Sequence, residues 1–225
     1  MFSRVSLSGC GWKLFWYYGV LQRLGEMGVI DPGNVDWITA SAGGGVAIHF
    51  LAGLGGRAGF EEALRIGDMV RREHPRRTVT LAVDELMRTT PHNIHESGRI
   101  TICYTRLSLW PLNLEYVMAD SFPTKEAMAD ALRASTSIPL MNDVIRRKAL
   151  KIHMDAGVLC NQPSRHHSTL RISAWPLSFG SDVRPQPSSL FEGATISVPR
   201  AEVAEEMYAV GLRDGERFGS KLLSR

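Results

Sequence analysis

Ser41 stands where a short apolar run gives way to small residues, Asp36-Trp37-Ile38-Thr39-Ala40-Ser41-Ala42-Gly43-Gly44-Gly45. A strand that meets one strained serine and turns at once into a helix is the layout of a nucleophile elbow, here T-x-S-x-G where the usual pattern is G-x-S-x-G. The start of the following helix would place partial positive charge beside the serine oxygen. Two other segments could serve such a nucleophile. In Ser8-Gly9-Cys10-Gly11-Trp12-Lys13, glycines let backbone N–H groups converge on a point, as an oxyanion requires. In Met154-Asp155-Ala156-Gly157-Val158, a carboxylate ends a strand, the place where open α/β sheets hold their ligands. Each segment alone has a plainer reading: a small-residue turn, a glycine turn, a capping aspartate. A dinucleotide fingerprint needs a third glycine where Leu14 stands and an acid closing the next strand, and neither is present. No nucleotide is expected.

The elements that must position these residues follow from periodicity and turn signals. Val5 and Leu7 alternate with Ser6 and Ser8, predicting a first strand; Leu14 to Met27 reads as a helix. Asp31-Pro32-Gly33-Asn34 is a turn, and the strand ending at Ala40 follows, completing the unit of a parallel sheet. Helices are predicted over Val46 to Leu54, Phe60 to Arg72, Lys125 to Arg133 and Ala201 to Phe218. Strands are predicted over Arg99 to Thr105, Lys151 to Met154 and Leu170 to Ala174. The alternation predicts an α/β fold with one sheet, a single domain over 1–225, and no internal repeat.

With 225 residues, 44% of them hydrophobic, the chain can bury one sizeable core. A formal net charge of +3 gives little reason to expect a nucleic acid partner. Cys10, Cys103 and Cys160 are scattered without a C-x-x-C pair, which argues against a disulfide framework or a zinc site and for a reducing compartment. No metal and no cofactor are expected. Met1 leads directly into a strand-like run without the layout of a signal peptide, and the apolar stretch Leu14 to Leu21 falls far short of the ~20 residues that span a bilayer. The expected location is cytoplasmic.

Taken in order, the three segments resemble the patatin-like phospholipases, whose motifs are a G-G-G-x-[K/R]-G loop, a G-x-S-x-G serine and a D-G-[G/A] aspartate. Gly9-Cys10-Gly11-Trp12-Lys13 matches the loop, Ser41 the serine and Asp155 the aspartate, with Gly43 and Gly157 as supporting motif glycines. The Ser-Gly-Cys-Gly form looks most like the adiponutrin branch, the animal-type triacylglycerol lipases. So do Glu96-Ser97-Gly98-Arg99-Ile100, Ala134-Ser135-Thr136-Ser137-Ile138-Pro139, Ser178-Phe179-Gly180-Ser181-Asp182-Val183 and Gly211-Leu212-Arg213-Asp214-Gly215-Glu216-Arg217-Phe218. The resemblance spans essentially the whole chain. It implies a three-layer domain with a mainly parallel central sheet and helices on both faces. It implies a lipid acyl hydrolase with a Ser41–Asp155 dyad and an oxyanion loop over Gly9, Cys10, Gly11, Trp12 and Lys13. The substrate would be a lipid ester at a membrane or lipid-droplet surface, with the protein peripheral to it and an activating partner of unknown identity. Leu14, Thr39 and Ala156 replace family glycines. A Cβ at Thr39 is expected to crowd the elbow and slow turnover, so the alternative is a catalytically weak or inactive lipid-binding protein of the same fold.

Other residues leave alternatives open. His166 and His167 follow Asp155 and would complete a Ser…Asp…His triad, the rival mechanism; His153 alternates with Asp155, and His49 on the elbow helix is expected to point elsewhere. Trp12, Phe15, Trp16, Tyr17 and Tyr18 suit core packing or an acyl channel. Arg71-Arg72-Glu73-His74-Pro75-Arg76-Arg77 reads as a solvated helix end or a contact for anionic lipid, and Arg146-Arg147-Lys148 as a surface turn.

Overall fold

The computed structural model describes residues 2–73, 75–138, 146–148, 151–163, 168–178, 180–186 and 197–224. It is α/β, with β1 (Arg4–Leu7), α1 (Leu14–Glu26), β2 (Asp36–Ala40), α2 (Gly43–Leu51), α3 (Gly56–Arg71), α4 (Pro75–Thr89), β3 (Ile100–Leu109), β4 (Leu112–Ala119), α5 (Lys125–Ser135), β5 (Arg146–Lys148), β6 (Lys151–Asp155), β7 (Thr169–Ile172) and α6 (Ala201–Leu223). The sheet is mixed. Its predicted parallel block runs β7-β1-β2-β3. The rest is antiparallel and centres on β3, which is long enough to serve three partners. β2 takes its first residues and β6 its later ones along one edge, β4 lines the other edge, and β5 pairs with β6.

The alternation in β1 sets the sheet's two faces. Val5 lies level with Trp37 and Leu170, and Leu7 with Ile172. These side chains, with Ile100 and Ile102, join one large buried cluster to which all six helices contribute. The other face carries a smaller cluster, Ile38, Ala40, Cys103 and Ala156 with Tyr116 against it. No described α-helix adds a side chain to that second cluster.

Helices α1 and α6 cross in backbone contact. A Cβ at Gly19 would sit 2.2 Å from the Tyr208 carbonyl oxygen, and one at Gly211 would sit 2.2 Å from that of Trp16. The Trp16 indole N–H donates to the Asp214 carboxylate at 2.9 Å across the same seam. Two stretches depart from the sequence reading. The basic run around Arg71 ends α3 and leads into α4, whose Val83, Leu86 and Met87 are buried; its charges hid an amphipathic helix with proline at its first turn. Arg146–Lys148 is a strand, not a turn. Among the described residues no helix is long and apolar enough to cross a membrane.

Candidate active site

Ser41 has φ 52, and it is the one non-glycine residue in the left-handed region among those described. Such a conformation costs about 1–3 kcal/mol and persists only where surroundings enforce it. Two features do so. A Cβ at Gly43 would come within 2.9 Å of the Leu7 Cβ and 3.0 Å of the Ser8 carbonyl oxygen, so α2 can leave the turn this close to β1 only with glycine there. The Ser41 N–H donates to Ser135 Oγ at 2.7 Å, and Ser135 Oγ donates to the Cys103 carbonyl oxygen at 2.5 Å. Ser135 thus ties the elbow to β3 from the end of α5, a role its sequence motif did not disclose. Ser135→Ala would leave two buried backbone groups unpaired, and a loss of about 1–3 kcal/mol of stability is expected in denaturant melts.

Thr39 does not crowd the turn as expected. It lies inside β2 with its hydroxyl donating to the Thr101 carbonyl oxygen at 3.1 Å. The elbow forms around it.

The glycine loop leaves β1 and tightens into a 3-10 turn over Gly11–Lys13, with Gly11 at φ 54. Ser8 is pinned by Tyr17, whose hydroxyl donates to the Ser8 carbonyl oxygen at 2.9 Å. Gly9 lies against the nucleophile: a Cβ there would be 3.1 Å from the Ser41 Cβ and 2.6 Å from Asn161 Oδ1. Its N–H donates to the Asn161 carbonyl oxygen at 3.4 Å, and its own carbonyl accepts from the Trp175 indole at 2.6 Å. The Lys13 N–H donates to the Cys10 carbonyl oxygen at 3.2 Å. No acceptor among the described residues takes the N–H of Cys10, Gly11 or Ala42. Of the five loop residues, then, Gly9 and Lys13 spend their amides within the protein. Trp12 lines the cavity beside Ser41. The Lys13 ammonium lies 3.5 Å from the centroid of the Trp175 ring, and burial lowers its pKa. Burial pushes the Cys10 thiol far above its ordinary range, so it remains a protonated, inert wall.

Asp155 reaches Ser41 through strand direction. β2 ends at Ala40 opposite Cys103, while β6, running the other way along the same edge of β3, ends at Asp155 opposite Tyr104. The two strands meet head to head, and the residues at their tips face each other. The Asp155 N–H donates to the Ser137 carbonyl oxygen at 2.7 Å, and the Gly157 N–H donates to Asp155 Oδ1 at 2.7 Å. Burial raises the Asp155 pKa, and the neighbouring Ser41 side chain and the Gly157 N–H offset this in part.

A cavity of about 350 Å³ opens on both residues. Its walls are mostly apolar, with Leu14 from α1, Ile66 from α3, Val83 and Leu86 from α4 and Leu132 from α5. Of the aromatic cluster, Trp12 and Tyr18 line the cavity, whereas Phe15, Trp16 and Tyr17 are core. His49 does not point elsewhere. It joins the cavity wall, its Nδ1 is 2.6 Å from the Tyr18 hydroxyl, and burial lowers its pKa to about 4, so it is neutral near pH 7. His153 packs on the Tyr104 ring, and His166 and His167 lie outside the described residues. Three contributors escape a sequence reading: Asn161, Trp175 and the α4 wall. Asn161 and Trp175 lie in loops whose register to the site no local pattern encodes. No cluster of three metal-ligating side chains occurs among the described residues.

No protein-family model matches the chain. Among curated proteins it is similar to human 1-acylglycerol-3-phosphate O-acyltransferase PNPLA3, at 27% identity over 71% of this chain and 34% of that protein. The mouse protein of the same name is 29% identical over 82% of this chain and 46% of its own length. Patatin-like phospholipase domain-containing protein 2 of Bos taurus is 28% identical over 95% of this chain and 49% of its own length. The chain therefore spans a third to about half the length of these relatives. These relatives place the chain's similarity with patatin-like phospholipase domain proteins, and its α/β architecture is compatible with such a domain.

Proposed function

We propose that this chain is a patatin-like lipid acyl hydrolase, of triacylglycerol lipase or phospholipase type as in the adiponutrin branch, that cleaves carboxylic esters with Ser41 as nucleophile and Asp155 as base. The observation that carries the reading is Ser41, held at φ 52 where the ends of β2 and β6 meet and lining the same apolar cavity as the buried Asp155 carboxylate. Serine is a weak nucleophile until a base takes its proton. Asp155, with its pKa raised by burial, is a stronger base than a solvated aspartate. As Ser41 Oγ bonds to the ester carbon, its proton passes to Asp155 and the carbonyl oxygen takes the negative charge. The N–H groups of Cys10, Gly11 and Ala42 are the donors left for that oxygen, each worth about 2.7–4 kcal/mol where such donors have been removed. The alcohol leaves with the Asp155 proton. Water, deprotonated by Asp155, then releases the fatty acid from Ser41. The apolar walls suit an acyl chain. No cofactor enters any step.

Two of the similar proteins are named acyltransferases. That favours a second reading of the same acyl-enzyme, in which a lysophospholipid hydroxyl replaces water in the second step. The test uses a fluorophosphonate probe and a short-chain p-nitrophenyl ester on the purified protein. Labelling and turnover by the wild type, both lost in Ser41→Ala, are expected. A folded wild type that takes no label and cleaves no ester would leave an inactive lipid-binding protein. Product analysis with and without lysophospholipid separates hydrolysis from transfer.

A further inference from the structure

Beyond Cys103, which lies level with the end of β2, strand β3 continues from Tyr104 to Leu109. At about 3.3 Å per residue it projects on the order of 20 Å past the edge that carries Ser41. It turns at Trp110 and Pro111 and returns as β4. The pairing gives this hairpin two unlike faces. Leu107 opposes Leu114, Leu109 opposes Leu112, and Met118 follows on the same face; on the other face Arg106 pairs with Glu115 and Ser108 opposes Asn113. The apolar side is open to solvent: Trp110 is 83% exposed, Leu112 78%, Met118 49%, Leu114 45% and Leu109 42%. Contiguous exposed apolar groups of this kind mark interaction sites, and a tryptophan among leucines suits the boundary between water and acyl chains.

Charge distinguishes the occupant. Alongside the hairpin near its tip, Lys151 opposes Ser108 and Lys148 on β5 opposes Lys151, both on the polar face, while Arg147 opposes Ile152, which is level with Leu107 on the apolar face, so basic residues flank the tip on both faces. The stretch from Arg146 to Ile152 holds Arg146, Arg147, Lys148 and Lys151 and no acid. Cations beside an apolar tip are attracted to anionic headgroups. We propose that the β3–β4 hairpin is a docking finger that seats the protein on an anionic phospholipid surface, with the Ser41 edge turned toward the lipid. The orientation rests on the lipid-ester reading of the site; the docking itself does not.

Sedimentation with vesicles tests it without turnover, using phosphatidylcholine alone and phosphatidylcholine mixed with phosphatidylserine. The wild type is expected to partition onto both, more strongly with phosphatidylserine. Trp110→Ser combined with Leu112→Ser should lower partition onto both by roughly tenfold or more, since affinity follows buried apolar area. Lys148→Glu combined with Lys151→Glu should remove most of the preference for phosphatidylserine, about fivefold for each basic residue lost. Leu223→Ser, an exposed leucine at the end of α6, should bind as the wild type does. A wild type that ignores both vesicles overturns the proposal, as does a tip variant that binds undiminished. So does a tip variant whose only change is loss of a wild-type dimer, because the face would then cover a second copy. Should the tip variant lose its native circular dichroism, the charge variant still tests the docking: an unchanged preference for phosphatidylserine overturns it. A protein that binds vesicles but cleaves no ester keeps the finger and sinks the hydrolase.

Discussion

Asp155→Asn is expected to abolish ester hydrolysis, by about 10⁴-fold or more in kcat, while raising the melting temperature. The first effect follows from chemistry: an amide cannot take the Ser41 proton, and residues that act as a unit lose nearly all function together. The second follows from burial. The Asp155 pKa is raised in the folded protein, mainly by desolvation, so the folded state holds its proton more tightly than the unfolded chain does. Linkage then makes its contribution to stability fall as pH rises through that folded pKa. Near neutral pH the buried carboxylate is a cost, and asparagine removes it while its side-chain oxygen still accepts from the Gly157 N–H. The same raised pKa moves the acid limb of the wild-type kcat/KM profile to higher pH than a solvated aspartate would give, with activity lost as Asp155 is protonated. Thermal melts and pH–rate profiles of both proteins check this. An Asp155→Asn variant that keeps a tenth of its activity would transfer the base role to a histidine, and His153, His166 and His167 would then be replaced in turn.

The second large effect is expected at Gly9. Its Cβ position lies 2.6 Å from Asn161 Oδ1 and 3.1 Å from the Ser41 Cβ. Asn161 is the end of a movable side chain, but the elbow is backbone held between β1 and Ser135. The methyl of Gly9→Ala therefore displaces the loop more than the elbow and carries the Cys10 and Gly11 amides away from the proposed oxyanion position. Loss of one such donor costs about 10²–10³ in kcat, and a loss in that range is expected with KM little changed, because the amides act on the transition state. A rise in KM at constant kcat would instead mean that the methyl blocks substrate entry and that the oxyanion is held elsewhere.

Thr39 is a residue that local sterics misjudge. By local sterics, glycine at that position reads as a requirement of the turn, yet Thr39 is still within the strand and the strained residue is Ser41 alone. Thr101 on the neighbouring strand accepts its hydroxyl, a partner 62 residues away that no window around Thr39 contains. Thr39→Gly would remove that bond and loosen a strand end.

What the sequence determined by itself is what short-range sterics control. Ser41 between small residues can turn sharply, Gly9 and Gly11 can bring amides together, and the alternation of Val5 and Leu7 with Ser6 and Ser8 orients a strand. These depend on a residue and its immediate neighbours, so the candidate nucleophile, loop and base were legible, as were most of the elements. Only the tertiary structure decided how they meet. Asp155 reaches Ser41 because β6 runs antiparallel on the edge of β3 that β2 vacates, and strand direction is set by the whole sheet. Ser135 supports the elbow from α5, Gly9 and Lys13 spend their amides on Asn161 and Cys10, and His49 and α4 become cavity wall. Each of these is a contact across the fold, decided by which faces must be buried together.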